Sequence, residues 1–432
     1  MREYNLPFGE GCGTKYRHGV LGLLSLLMVI TYLDRVCISV AGPRMQEALH
    51  IGPVAWGWVT GVFTISYATF EIPTGALGDR IGPRRVLTRV VLWWSAFTTL
   101  TGAMTSYYPL LLTRFCFGVG EAGAMPNASI AVARWFPMHE RGRAFGIALM
   151  ASQLGGASAP LLVVPIQGHF GWRASFFVFG VLGVAWSVLW YRWFRDSPAE
   201  KPGVSQAEVE ETRGLIRKAP HSLPWGVALR SGNLWMVLGV AACYMYTMYF
   251  FQSWFHTYLV KARGYSEDDL LLSSLPFLVG ACANCCGGFA SQMLVRRLGL
   301  KWGRRSIGLV GLGSAALFTV AAMLTHQWLL ALIFLSLIYG GITFQQPMLF
   351  AVCLDIGGEY AGAVAGAANT AAQIASFLSS VAFGYLVDRF GSYDVPFIPM
   401  AALLLIGVAL WFKVDPTEAL IPKSHTALVS AQ

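Results

Sequence analysis

The chain has 432 residues, of which 55% are hydrophobic and only 12% are charged, against about 25% charged in a typical soluble domain. That composition excludes a soluble enzyme and marks a polytopic membrane protein. At about 20 apolar residues per crossing, twelve crossings take about 240 residues and leave about 190 for loops and tails. The formal net charge of +9 does not point to nucleic acid, because no Lys/Arg-rich reading module is present and the basic residues fall where they set membrane topology.

In chain order, the first 19 residues are polar and Gly-rich, and a full-length apolar segment follows at once, so no cleavable leader is expected. Apolar segments predict spans at about 20–41, 55–76, 86–105, 108–130, 142–166, 173–193, 233–259, 271–294, 306–325, 328–353, 361–387 and 395–413. With the N-terminus inside, the outer loops hold five basic residues: Arg44, Arg173, Lys261, Arg263 and Arg389. Arg35 and Arg114 lie within spans, and the inner segments hold the other 24 of 31. Basic residues gather on the cytoplasmic side, so both termini are expected in the cytoplasm and the protein in the cytoplasmic (inner) membrane.

The segment 194–232 is the one long polar connection, and it divides the chain six plus six. Expected units are a tail (1–19), a six-helix bundle (20–193), a linker (194–232), a second bundle (233–413) and a second tail (414–432). Within the linker, "SQAEVEETRGLIRK" places Ser205 and Glu208 as a capping box, with acids early and bases late, so a short helix is expected. The halves echo each other. Span 2 ends in "GALGDRIGPRR" and span 8 in "GFASQMLVRRLGLKWGRR"; span 5 ends in "IQGHFGWRASFF" and span 11 in "LVDRFGSYDVPF". Internal repeats of this kind build secondary transporters, with the substrate site near the midplane between repeats. "CANCC" (Cys282, Cys285, Cys286) has metal-like spacing but no histidine nearby, so no metal site is expected there. No nucleotide-binding loop occurs, so ATP is not the expected drive.

Charges inside spans cost roughly 2.5–3.5 kcal/mol each on insertion scales and so mark function. Asp34 and Arg35 are adjacent and point about 100° apart on a helix, so each needs a partner from another span. Arg114 offers an offset for Asp34. Arg35 then faces the cavity, where its planar fork suits a carboxylate. Arg114 and Glu121 are seven apart and share a face, with Gly118 and Gly120 between them. A buried Glu beside an arginine is either a proton carrier or half of a fixed ion pair locking helices. Tyr67 and Glu71 share a face of span 2. Glu71 lies a turn closer to the cytoplasm and is either a second titrating group or, as the favoured reading, a structural partner for the loop that follows. Gln153 is a lone amide in span 5. Asn369, Gln373 and Ser376 share a face of span 11, and Gln345 and Gln346 sit in span 10. These polar groups suit a polyol acid or, equally, interhelical hydrogen bonding. Tyr244, Tyr246, Tyr249 and Trp254 of span 7 are gate candidates, with an aromatic interface belt the other reading of Trp254 and Tyr258.

Several motifs combine into a resemblance. In "GALGDRIGPRR", Gly75, Gly78, Asp79, Arg80, Gly82, Arg84 and Arg85 match the signature loop of the major facilitator superfamily. Its glycines permit a tight turn, and its charges are read as a latch between helix ends. "YLDR", "FEIPTGALGDRIGPRR", "RFCFGVGEAGAMPNA", "RDSPAEKP", "SWFHTYLVKARGYS" and "AGAVAGAANTAAQ" together resemble the anion:cation symporter family within it. That family includes bacterial galactonate, glucarate and hexuronate permeases and is related to sialin and the vesicular glutamate transporters. The resemblance covers about 20–413. His256 and the Gln345–Gln346 pair depart from it.

The resemblance implies an all-α fold of twelve transmembrane helices in two six-helix pseudo-repeat halves. It implies proton coupling at Asp34 and Glu121 with Arg114, and anion binding at Arg35 and Tyr67. The expected protein is a symporter importing an organic anion with protons by alternating access, with a sugar acid as the first substrate class. Aromatic or dicarboxylic acids, or a non-transporting metabolite sensor, are the alternatives. Candidate substrate residues are Arg35, Tyr67, Gln153, Gln345, Asn369, Gln373 and Ser376. Candidate gate and latch residues are Gly78, Asp79, Arg80, Arg84, Arg85, Tyr249 and Trp254. Expected partners are a small organic anion, protons and the lipid bilayer, with no cofactor beyond the proton, no nucleic acid, and a monomeric state.

Overall fold

The computed structural model describes residues 15–212, 223–266, 268–325 and 327–420. The first half holds α1 (Lys15–Ala48), α2 (Pro53–Ile81), α3 (Pro83–Ala103), α4 (Tyr107–Glu121), α5 (Ala124–Trp135), α6 (Met138–Phe170) and α7 (Trp172–Trp193). Two short helices follow, α8 (Gln206–Thr212) and α9 (Trp225–Ala228). The second half holds α10 (Gly232–Ser253), α11 (Phe255–Arg263), α12 (Leu275–Leu324), α13 (Trp328–Gly357), α14 (Ala361–Phe390) and α15 (Phe397–Lys413). Among the described residues there is no strand.

Seven helices are individually long and apolar enough to cross a membrane. Of the others, α15 is an apolar helix of 17 residues, α2 and α3 carry charged residues, and span 4 is broken. Span 4 breaks between α4 and α5, because Pro126 has no N–H for the carbonyl four residues back. Span 7 breaks at Trp254, between α10 and α11. Spans 8 and 9 form one element, α12, that reverses at Gly299 (φ +77°). A positive φ of that size favours glycine. Gly82 (φ +88°) does the same between α2 and α3, and Pro83 opens α3, where its fixed φ fits the first helical turn.

Within the first half α1 packs on α6, α3 on α7 and α2 on α4; within the second, the arms of α12 pack on α13 and α15, and α10 on α14 and α15. The halves meet along α2 and α14. Both backbones come close there because a Cβ on Gly57 would lie 2.6 Å from the Ser380 carbonyl oxygen, and one on Gly384 would lie 2.4 Å from that of Pro53. Small residues that admit close backbone approach are the usual means of helix association in lipid.

We call the end of the bundle where α1 begins the termini face. Among the described residues, the hydrogen bonds joining the halves lie from mid-bundle to the far face. At the far end Gln46 donates to Thr257 (2.9 Å), Trp56 to the Ser253 carbonyl (3.4 Å) and Lys261 to Gln46 (3.3 Å). His256 is fully buried, with Nδ1 2.9 Å from the Ser39 hydroxyl and Nε2 2.9 Å from that of Ser273. Tyr249 donates to the Thr60 carbonyl at 2.7 Å.

Trp254 and Tyr258 are both fully buried, which removes the interface-belt reading. Trp254 donates to the Ser380 carbonyl (3.1 Å) and stacks on Phe383, so it backs the α2–α14 seam from within the second half. At the termini face the linker helix α8 is tied to the first half: Arg17 of α1 reaches Glu140 (3.0 Å), Glu208 (3.2 Å) and Glu211 (2.6 Å). Only half of the expected capping box forms. The Glu208 N–H donates to the Ser205 hydroxyl (3.3 Å), while the Glu208 carboxylate goes to Arg17. The later part of the predicted linker helix lies outside the described residues.

The seam gives a direct prediction. Gly57→Ala places a methyl group against the Ser380 carbonyl and the Val381 Cα, a crowding worth about 1–3 kcal/mol. Gly22→Ala meets nothing within 4 Å and is neutral or mildly stabilising. Thermal unfolding of the two purified variants should separate them in that order; equal midpoints would show that the seam relaxes freely.

Candidate functional site: a buried charge cluster between the halves

The site begins at the break in span 4. Glu121 is the last residue of α4 and is completely buried. Gly118 lets α4 approach α2, since a Cβ there would meet the Phe63 carbonyl at 2.5 Å. The acid is thereby held at mid-bundle, facing α1.

There it meets Arg35, whose Nε donates to Glu121 Oε1. The guanidinium is caged by aromatic rings, with its carbon 4.9 Å from the Tyr67 centroid, 5.2 Å from Phe63 and 5.5 Å from Tyr32. Each face-on ring adds cation–π attraction, up to about 2 kcal/mol when desolvated. The second Glu121 oxygen has no hydrogen-bond partner among the described residues.

The pairing expected from spacing therefore needs correction. Arg114 is close enough to act on Glu121 electrostatically, but Arg35 makes the hydrogen bond. A helix face shared seven residues apart brings two side chains alongside; it does not aim them at each other. Arg114 instead lies over Phe117 (4.4 Å) and Phe63 (5.4 Å), with Nε buried and unpartnered. It acts electrostatically on Asp34 as well. Asp34 is buried, neither of its oxygens has a hydrogen-bond partner of good geometry, and Trp94 and Thr98 of α3 are the polar groups that interact with it. Burying an unpartnered ionised carboxylate is expensive, so this cluster is where protonation has most to offset.

The other expected site residues divide. Gln153 accepts from the Tyr339 hydroxyl across the halves at 3.2 Å. Asn369 donates to Glu71 Oε2 at 2.6 Å, also across the halves. Glu71 is thus a partner of α14 and not of the loop: the turn at Gly82 lies about three helical turns further along α2. Gln373 is buried one turn from Asn369, and Ser376 is fully buried and donates to the Ala372 carbonyl of its own helix (2.9 Å).

Gln345 sits where α13 packs on α12. It is fully buried, with its stem against Gly311 of α12 and neither amide atom partnered. The next residue, Gln346, is half-buried and accepts from Asn284 at 3.3 Å. It also interacts with Tyr244, which places Tyr244 in a polar cluster and not solely in a gate. Tyr32, Asn284 and Tyr339 are not among the residues that the sequence singles out. The "YLDR" run places Tyr32 one turn before Arg35, and that spacing was the available signal.

The signature loop is organised around a different acid from the one expected. Asp79, Arg80 and Arg85 are exposed, and among the described residues none of the three carries an ion pair or hydrogen bond. Asp196, in "RDSPAEKP", does the bridging. It accepts the Arg84 backbone N–H at 2.9 Å and lies 3.6 Å from Arg134. The Arg84 side chain donates to the Tyr191 carbonyl (2.7 Å). Gly78 must be small because a Cβ there would lie 1.9 Å from Asn127 Oδ1 of α5. In the second half Arg304 ties Asp355 (3.1 Å) and Ser291 (3.0 Å).

Comparison with known proteins identifies this architecture. The pattern of the Major Facilitator Superfamily matches residues 24–380. The chain belongs to that superfamily. Its fold and relatives are those of Major Facilitator Superfamily transporters, not enzymes. It is 36% identical over 408 residues to a probable sulfoacetate transporter of Cupriavidus necator, covering 93% of this chain and 94% of that one. A probable galactarate/D-glucarate transporter of Bacillus subtilis is 31% identical, covering 92% and 90%. A hexuronate transporter of Bacillus subtilis is 28% identical, covering 88% and 90%. Among solved structures, a bacterial homolog of the human lysosomal transporter Spinster, inward-facing and unoccupied, matches with a TM-score of 0.77 at 21% identity, covering 94% and 98%; that likeness shows the fold.

Removing one partner of a buried pair costs about 3–5 kcal/mol. Arg35→Ala should destabilise the detergent-solubilised protein by that order, and the double substitution Arg35→Gln with Glu121→Gln should recover most of it. Thermal unfolding of single and double variants checks this; additive losses would show that the pair is not coupled.

Proposed function

We propose that this superfamily member is a proton-coupled symporter that imports an organic anion by alternating access. The observation that carries the reading is the Arg35–Glu121 pair: the cation best placed for an anion is held by a fully buried carboxylate. Protonating Glu121 removes the charge that holds Arg35, and the guanidinium then offers its fork to the incoming anion. Asp34 and Arg114 form the adjoining charge pair and share the proton load.

Tyr67 orients the guanidinium, and Gln153 and Asn369 supply amide contacts to the far end of the substrate. The halves, 20–193 and 233–413, then rock about the site, joined by the 194–232 linker. The far face is read as the outside and the termini face as the cytoplasm of the inner membrane, which follows the distribution of basic residues. The described conformation, sealed at the far face, is thus the inward one. Entry of more than one proton per anion makes uptake electrogenic and lets the membrane potential assist. The unit is read as a monomer.

Sugar acids are the first substrate class, supported by the galactarate/D-glucarate and hexuronate relatives and by the amides facing the site. A second reading, a short sulfonated acid, is favoured by the 36% identity to the sulfoacetate transporter over nearly the whole chain.

Reconstituted vesicles test the reading. An inwardly directed proton gradient should drive accumulation of D-glucarate, galactarate, a hexuronate or sulfoacetate, whichever the protein binds. Glu121→Gln should keep exchange of anion across the membrane and lose gradient-driven accumulation. Arg35→Ala should weaken anion binding roughly ten- to a hundredfold, the range of a lost charged hydrogen bond. Gradient-driven accumulation surviving in Glu121→Gln would overturn the coupling role.

A further inference from the structure

One carboxylate of the cavity is left over by the proposed cycle. Residues 57, 61, 64, 68 and 71 follow helical spacing, and Gly57 and Gly61 of that series pack against Ser380 and Phe377 of α14. Glu71 is the rung of the same seam nearest the termini face. Its Oε2 accepts from Asn369 Nδ2 at 2.6 Å. It lies one turn from Tyr67, whose ring sits 4.9 Å from the Arg35 guanidinium carbon. Glu71 and Arg35 act on each other electrostatically.

Among the described residues Glu71 has no ion-pair partner. Arg35 is the cation facing it from α1, and its Nε is already taken by Glu121. Tyr67 faces it from its own helix and Asn369 from α14. On α4, Arg114 and Glu121 lie beyond Arg35, and the arginines of α3 and α5 do not act on it. The cluster with its neighbour Glu71 therefore holds two arginines, Arg35 and Arg114, against three carboxylates, Asp34, Glu121 and Glu71. It carries one more acid than base before any substrate enters. An anion brought to Arg35 would face an ionised Glu71 a turn away, and like charges at that range repel.

We propose that Glu71 is a further proton-exchanging carboxylate of this transport site, neutral while the anion is loaded and ionised against Asn369 when the site is empty. The proposal rests on the anion reading above. The step is a simple exchange: the carboxylate takes one proton from water before the anion binds and returns it to water after release. Asn369 suits both states, since its Nδ2 donates to the carboxylate and its Oδ1 accepts from the acid. The clasp between the halves thus survives while the charge comes and goes. With all three acids protonated the two arginines match a doubly charged anion; with Glu71 ionised they match a singly charged one.

Infrared pH-difference spectroscopy on the full chain in lipid nanodiscs tests this without a substrate. The wild type should show a protonated-carboxyl stretch that titrates and disappears in Glu71→Gln; a spectrum unchanged by that substitution overturns the proposal. Glu71→Gln is isosteric and keeps an amide–amide clasp, so its thermal unfolding should stay near that of the wild type. A collapse in stability instead assigns Glu71 to a structural clasp and also overturns the proposal. Calorimetry with D-glucarate and sulfoacetate adds a third readout: the slope of log Kd against pH should fall by about one in Glu71→Gln, and an equal slope counts against the proposal. If neither acid binds the wild type, the anion reading fails for these probes, and the infrared result still decides whether Glu71 exchanges a proton.

Discussion

Everything at the centre of this protein is arranged around one ion pair, Arg35 with Glu121, held out of water. A buried pair of this kind gains little over a well-packed apolar contact, because desolvating two charges offsets most of their attraction. In the proposed cycle its value lies in being breakable by a single proton. The surroundings keep that possibility open. The helix ends just after Glu121 because of Pro126, the second carboxylate oxygen is left without a partner, and the guanidinium is steadied by three aromatic rings that compete weakly for its charge. Removing the pair in favour of leucines would produce a tighter bundle with nothing to switch.

The seam between the halves is built on a different principle. On the far face backbone meets backbone across glycines, and the hydrogen bonds there come from an amide, an indole, a lysine ammonium and the hydroxyls flanking an imidazole. None of these carries a net charge pair, so the seal is made of many small terms that can be broken in sequence. Toward the termini face the seam reaches Glu71 and Asn369, where the contact is a polar side-chain clasp. The same two helices thus carry a steric closure at one end and a chemical one at the other.

The crossings were legible because apolar runs of membrane length are the strongest signal a sequence offers; the break at Pro126, inside the span expected at 108–130, was not read there. Arg35 and Asp34 announced themselves by the cost of placing charge in a span. The partners did not. Glu71 and Asn369 are 298 residues apart, and no local rule joins them. Gln345 and Gln346 differ by one residue, yet a turn of about 100° sends one into the second-half core and the other toward Asn284 and Tyr244. Asp79 drew attention through its motif, while Asp196, which makes the contacts, sits 117 positions later in a loop with no periodic pattern.

The ties at Asp196 and at Arg304–Asp355 have a mechanical consequence. Asp196 joins the turn before α3 to the end of α5 and the strand of chain leaving α7, and Arg304 joins the α12 reversal to the end of α13. Each set of helices is braced at its ends like a truss. A truss passes a displacement from one side to the other without absorbing it in bending. In the proposed rocking cycle, that stiffness would keep the proton and its cargo on the same stroke; a compliant brace would let one slip without the other.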